Sequence, residues 1–203
     1  MALNVRANVV DIRTDTPSDR DSFLVDTNAW YWLHYPKASQ EARQYQTNDY
    51  PNFLKLCLSA NTQLFCSPLS FSELAHNIEA AERKIYAFNA NRNIEPKDFR
   101  RNYPNQHRRV TNLIEGIWLD VTDMSQVMPI NLDEAFVTAS VKKFGTVQLD
   151  GYDLFMAERA VDFGVLNVIT DDADYCTYPG ITVFTANQTA IRAAAQARRL
   201  VTR

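Results

Sequence analysis

The sequence predicts an α/β fold: a three-layer α/β/α sandwich around a central, mainly parallel sheet. Three observations predict it. Short apolar runs ("FLV", "QLFCS", "VLNVIT" and "ITVF") alternate with stretches of helical period. Runs that are apolar throughout, rather than every second residue, belong to strands buried on both faces. A chain of 203 residues, 46% hydrophobic and 22% charged, is also long enough for one sizeable core.

In chain order, residues 1–21 are a polar lead-in, and "VDIRTDTPSDRDS" within it holds a Pro and reads as extended. "FLV" is the first strand, "TNAWYWLH" a helix, and Asn52 to Ala60 a second helix. After "QLFCS", the stretch "SFSELAHNIEAAERKIYAF" is a strongly amphipathic helix, because Leu74, Ile78, Ala81, Ile85 and Phe88 recur at helical spacing. Residues 89–130 read as a helical insertion, rich in Arg, Asn and Pro at its start and periodic only from Val110 to Leu119. Leu132 to Phe144 and Gly151 to Phe163 follow as helices, closed by Gly145 and Gly164 at the position favoured after a helix C-terminus. Two more strands and a helix over about 187–200 complete a single domain spanning 22–203.

The formal net charge of −3 gives no overall field toward nucleic acid or an anionic membrane, so any polyanion contact is local. No apolar run approaches the roughly 18 residues of a spanning helix, which predicts a soluble, unexported protein without a membrane partner. Cys57, Cys66 and Cys176 are scattered and lack C-x-x-C spacing, which argues against a disulfide framework or zinc site and fits a reducing cytoplasm. Five Gly residues are too few for a Gly-rich phosphate loop, so the chemistry must come from side chains.

Acids recur at the ends of elements: Asp26 after a strand, Glu73 in the first turn of a helix, Asp150 and Asp153 opening another, and Asp171, Asp172 and Asp174 after a late strand. In parallel α/β sheets the ligand site lies beyond the carboxyl ends of the strands, where these positions can converge. Converging carboxylates repel one another unless a cation sits among them. Hard oxygen ligands without His or Cys select Mg²⁺ or Mn²⁺. Two such ions about 3.5–4 Å apart would generate a hydroxide and stabilise the leaving oxygen of a phosphodiester. Nuclease chemistry follows.

Each acid also admits a purely structural role. Ser70-Phe71-Ser72-Glu73 reads as a capping box, Asp150 and Asp153 as an N-cap and a first-turn charge, Asp172 and Asp174 as turn residues, and Asp26 as a helix cap.

The stretches "FLVDTNAW", "SPLSFSELAHNIE", "DLFMAERAVDFGVLNVITDDADY" and "PGITVF" resemble, in order, the motifs of the PIN-domain nucleases, and among these the VapC-type ribonucleases of toxin and antitoxin pairs. The resemblance covers roughly Ser22 to Asn89 and Asn131 to Asn187. It implies that Asp26, Glu73, Asp153 and Asp172 are the catalytic and metal-binding acids, with Asp174 as a further ligand. Asp153 is preferred to Asp150 because Ala157 and Ala160 then fall where the family has small residues. "TDDADY" matches a Thr-x-Asp-x-Asp-aromatic pattern, which selects Asp172 and Asp174 over Asp171. Thr27 and Asn28 resemble the polar pair after the first acid, and Asp150 and Asp171 are left as supporting residues. The resemblance further implies an RNA substrate, an antitoxin partner and a homodimer. Pro36 to Pro51, Asn89 to Pro129 and the lead-in are extra relative to compact members.

An acidic site needs cations at its rim to hold RNA. In the insertion, Arg92, Lys97, Arg100, Arg101, Arg108 and Arg109 outnumber Glu95 and Asp98, with Phe99 and Tyr103 between them as stacking partners for unpaired bases. Arg100, Arg101, Arg108 and Arg109 are the expected RNA-binding residues. After Asp174 there is no acid, while Arg192, Arg198, Arg199 and Arg203 follow. His34, His76 and His107 are far apart, Trp30, Trp32 and Phe71 are expected in the core, and no G-x-S-x-G elbow supports a serine hydrolase.

The expected activity is thus a divalent-metal endoribonuclease. Two alternatives stand beside it. A haloacid-dehalogenase-type phosphatase would want a second Asp where Asn28 stands. A PIN-like scaffold binding RNA or protein would keep the acids as caps and turns.

Overall fold

The computed structural model describes residues 3–203. In chain order the elements are β1 (Asn8–Asp11), β2 (Ser22–Val25), α1 (Thr27–His34), α2 (Gln44–Ser59), β3 (Gln63–Cys66), α3 (Pro68–Asn89), α4 (Pro96–Asn102) and α5 (Pro104–Met124). They continue with β4 (Gln126–Val127), α6 (Glu134–Phe144), α7 (Gly151–Asp162), β5 (Asn167–Ile169), β6 (Thr182–Thr185) and α8 (Gln188–Gln196). Among the described residues the strands form one sheet in the order β1-β6-β5-β2-β3-β4, and every neighbouring pair is parallel.

Alternation along the strands builds the three layers. Phe23, Val25, Leu64, Cys66, Ile169 and Phe184 face one side, where they meet Trp30 of α1, Tyr50, Phe53 and Leu54 of α2, Leu74 of α3 and Val121 of α5. Leu24, Phe65, Val168 and Val183 face the other, against Leu154, Ala157 and Ala160 of α7 and Ala190 and Ala194 of α8. Both faces of the sheet are therefore covered, as apolar parallel strands require. A third cluster joins Ile78 and Ala81 of α3 to Phe99 of α4 and Val110 and Ile117 of α5.

Several elements differ from the sequence reading. The lead-in carries β1, which pairs with β6 through Asn8 to Asp11. Helix α2 starts well before Asn52 and runs through Pro51. The hydrogen bond lost at Pro51 is offset by Tyr45, Gln46 and Tyr50 of the early half, whose side chains all donate to Asp171. The insertion is helical along most of its length, with Pro96 and Pro104 opening α4 and α5. Helix α8 stops at Gln196 rather than near 200 because Arg198 takes a left-handed φ of 55°. The chain then returns along β1, where the Val201 amide donates to the Val9 carbonyl at 2.8 Å. Gly164 has the left-handed φ (83°) expected after a helix, whereas Gly145 caps α6 in the right-handed region.

The strand order reverses between β2 and β5: β3 and β4 lie on one side of β2, β5 and β6 on the other. A crevice at such a switch point is where open α/β sheets place ligands. No helix among the described residues is long and apolar enough to cross a membrane.

Candidate metal centre

Asp26 ends β2 and caps α1, its Oδ1 accepting the Thr27 amide at 2.7 Å. Its Oδ2 accepts from Asn28 Nδ2 at 2.6 Å and from the Thr170 hydroxyl at 2.6 Å. The register explains the second interaction: Val25 pairs with Ile169, so the residues that follow each strand stand side by side. Thr170 Oγ1 also accepts the Asp172 amide at 2.9 Å and so ties the ends of β2 and β5 together.

Glu73 reaches the same rim from α3. The sequence pattern puts it in a first-turn capping box with Ser70, but the N-cap is Ser67, whose hydroxyl accepts the Leu69 amide. Pro68 opens the helix one turn earlier, and the Ser70 hydroxyl faces Met156 Sδ at 3.6 Å. Glu73 falls in the second turn, past the orphan amides, and no cap occupies its carboxylate. Asp153 stands in the first turn of α7, where its amide is capped by Asp150 Oδ1 at 2.9 Å. Its Oδ1 accepts from the wholly buried Tyr175 hydroxyl at 3.1 Å. Asp172 caps the short turn Ala173–Thr177 through the Asp174 amide at 2.8 Å.

Electrostatics shows these acids acting on one another. Burial raises the carboxyl pKa of Asp26, and the charges of Glu73 and Asp172 raise it further, against the hydrogen bonds from Thr170 and Thr27. Burial raises Asp153 well above the usual carboxylate range, followed by Asp26, Asp150, Asp172 and Glu73. Glu73 and Asp172 are also raised, first by burial; next to it, Asp150 and Asp172 add to the rise at Glu73, and Asp174 and Asp150 to that at Asp172. Asp26, Glu73, Asp153 and Asp172, from four separate elements, therefore lie near enough to one another for ionisation of one to oppose ionisation of the next. Among the described residues, however, no three His, Cys, Asp or Glu side chains approach closely enough to enclose a single ion as they stand.

The remaining predicted residues divide. Asp174 lies beside Asp172, and Asp150 is exposed at the rim. Asp171 turns away to α2, where Tyr45, Gln46 and Tyr50 donate to it at 3.0, 2.7 and 2.7 Å. Thr27 Oγ1 and Asn28 Oδ1 are buried oxygens without a hydrogen-bond partner, and the Thr27 hydroxyl faces Glu73. Buried polar atoms left unpaired are rare enough to need a reason. Two orphaned oxygens among clustered carboxylates form an all-oxygen donor set, which fits Mg²⁺ or Mn²⁺.

Thr170 and Tyr175 receive no role from the sequence, although both lie in the Thr-x-Asp-x-Asp-aromatic stretch. One fixes Asp26, the other Asp153.

The cations are arranged differently from the expectation. Arg100 is bound to Glu79 of α3 by a forked pair at 2.8–3.0 Å. Phe99 is wholly buried, and Tyr103 packs on Tyr86 with ring centroids 5.3 Å apart. Phe99 belongs to the insertion's own core and is not free to stack on bases, while Tyr103 is only partly buried against it. Arg101, Arg108 and Arg109 are exposed, Arg108 donating to Asn105. Arg203 is held by Asp15 and Asp21 and lies over the Phe184 ring.

No family model and no curated protein matches this chain. Among solved structures it is similar to VapBC2 from Rickettsia felis bound to a DNA fragment from their promoter, with a TM-score of 0.45 and 12% identity, over 81% of this chain and 98% of that one.

Proposed function

We propose that this protein is a divalent-metal-dependent endoribonuclease that hydrolyses RNA phosphodiesters, with Mg²⁺ or Mn²⁺ held by Asp26, Glu73, Asp153 and Asp172 and assisted by Asp174. One observation carries the reading: four elements bring buried or half-buried acids to the switch point of the sheet, where burial and then neighbouring acids raise the pKa of each. Such an arrangement costs stability unless a cation joins it.

Bound there, the ions would supply an acidified water and charge neutralisation at the phosphate. The protein's own groups orient the site. Asn28 and Thr170 hold Asp26 in one rotamer, Tyr175 holds Asp153, and Thr27 and Asn28 offer unpaired oxygens to a ligand or its waters. Exposed Arg101, Arg108 and Arg109 supply cations for the RNA backbone. In keeping with the resemblance to VapC-type ribonucleases, the reading extends to a toxin restrained by an antitoxin protein in the cytoplasm, and to a homodimer.

The test is cleavage of labelled single-stranded RNA with Mg²⁺ or Mn²⁺. Asp26→Asn is expected to cut at least about 100-fold more slowly, and equal rates for Asp26→Asn and the parent would refute the reading. A second reading, a non-catalytic PIN-like scaffold that binds RNA or protein, is favoured by the caps that Asp26, Asp150 and Asp172 already provide. Mn²⁺ separates the two. A scaffold shows no Mn²⁺-dependent rise in melting temperature, whereas a site that binds only the folded state must produce one.

A further inference from the structure

We propose that a pocket beside Glu73 receives an unpaired nucleobase adjoining the scissile phosphate, with Tyr152 as its stacking platform. This rests on the nuclease reading above. The pocket, about 380 Å³, is lined by Leu69, Ser72, Glu73, His76 and Tyr152, within the size range of ligand sites. Leu69, Ser72, Glu73 and His76 follow the spacing that puts residues on one face of a helix, here α3. Tyr152 opposes them from the first turn of α7. The walls are thus the two helices that deliver Glu73 and Asp153, so a phosphate at the acids carries its neighbouring base past this opening.

The chemistry of the lining selects the occupant. Tyr152 is 61% exposed, although Leu154 and Met156 on the same helix are buried. Among the described residues its ring stacks on no other ring and its hydroxyl has no partner. Leu69 adds an apolar wall. Ser72 and His76 are at the rim, with hydrogen-bonding atoms suited to the edge of a base. No Lys or Arg lines the pocket and Glu73 does, so a phosphate or other free anion is repelled. A flat, neutral ring with polar edges satisfies all of these surfaces. Stacking on an aromatic side chain tolerates any base, and preference among bases then falls to Ser72 and His76.

The experiment uses the full chain carrying Asp26→Asn with Mg²⁺, so that RNA is bound but not cut, and follows the anisotropy of a fluorescein-labelled single-stranded RNA of mixed sequence. Adding Tyr152→Ala is expected to weaken binding about 5- to 100-fold, while Tyr152→Trp binds as the parent does. With oligonucleotides made abasic at single positions, one position should abolish the difference between the proteins with and without Tyr152→Ala. In the cleaving protein, Tyr152→Ala should raise KM with little change in kcat. Tyr152→Ala that binds like the parent, or a penalty that persists with every abasic RNA, overturns the pocket and leaves the nuclease reading standing. Asp26→Asn that cuts as fast as the parent overturns both.

Discussion

At the scale of single residues, the raised pKa values of Asp26 and Asp153 predict an unusual pH dependence. Burial, then neighbouring acids, push these carboxyls to about 7 and about 9, against about 3.9 in an unfolded chain. Between those limits the folded state holds more protons than the unfolded one, so stability falls as pH rises. In metal-free buffer, Asp26→Asn is therefore expected to melt at a higher temperature relative to the parent at pH 8 than at pH 5. A gap that widens on acidification would contradict the sign. With Mn²⁺ the order reverses, because metal binding favours the deprotonated acids and strengthens with pH. Asp26, Asp153 and Asp172 are legible as acids of the rim because each follows a strand or opens a helix. The roles of Thr170 and Tyr175 are not, since a hydroxyl's partner across the sheet depends on register, which the sequence pattern does not state. Glu73 is misplaced for a related reason: Ser70 fits a cap pattern, but Ser67 followed by Pro68 fits the same rules better and starts the helix earlier.

At the scale of elements, the early half of α2 is hidden by Pro51, which normally ends or kinks a helix. What holds it is tertiary. The Tyr50 hydroxyl donates to Asp171 at 2.7 Å and accepts the Ala186 amide at 3.0 Å, with Thr185 Oγ1 at 2.9 Å. Tyr50→Phe leaves a buried amide and a carboxylate short of partners and is expected to cost about 1–3 kcal/mol, read as a lowered denaturant midpoint. An unchanged midpoint would mean that α2 stands by packing alone. The insertion is legible as helical but only partly in extent: Pro96 and Pro104 are helix-start signals lying in a stretch whose polar composition masks its period. Phe99 shows the hazard of reading aromatics as ligands. An inserted helical pair needs its own buried anchor, and Phe99 is that anchor.

At the scale of the whole molecule, the fold class and layer order are legible from four apolar strands and the helices between them, while β1 and β4 are not. β1 lies within the polar lead-in, and β4 is two residues long. Charge is distributed on the same scale. Glu79, the partner of Arg100, lies six residues beyond Glu73 on α3, about 9 Å along the helix axis. Reversing Arg100 would strip a nearly buried carboxylate of its partner, so it tests folding rather than RNA binding. Reversing Arg101, Arg108 and Arg109 to Glu is the cleaner test. It should weaken RNA binding across sequences and reduce the salt slope by about 1 for each phosphate no longer neutralised. A slope equal to the parent's would place the RNA elsewhere.

The return of the chain along β1 also bears on solubility. β6 is bordered by β1, and the outer side of β1 is partly occupied by backbone from residues 199–201. Residues from early and late in the sequence thus hem one border of the sheet. A shortened chain beginning at Ser22 would leave Thr182–Thr185, mostly buried in the full chain, as an unpaired margin able to template a foreign strand. Self-association of that shortened form, followed by light scattering, is the expected result, and a monodisperse shortened form would show that the hem is dispensable.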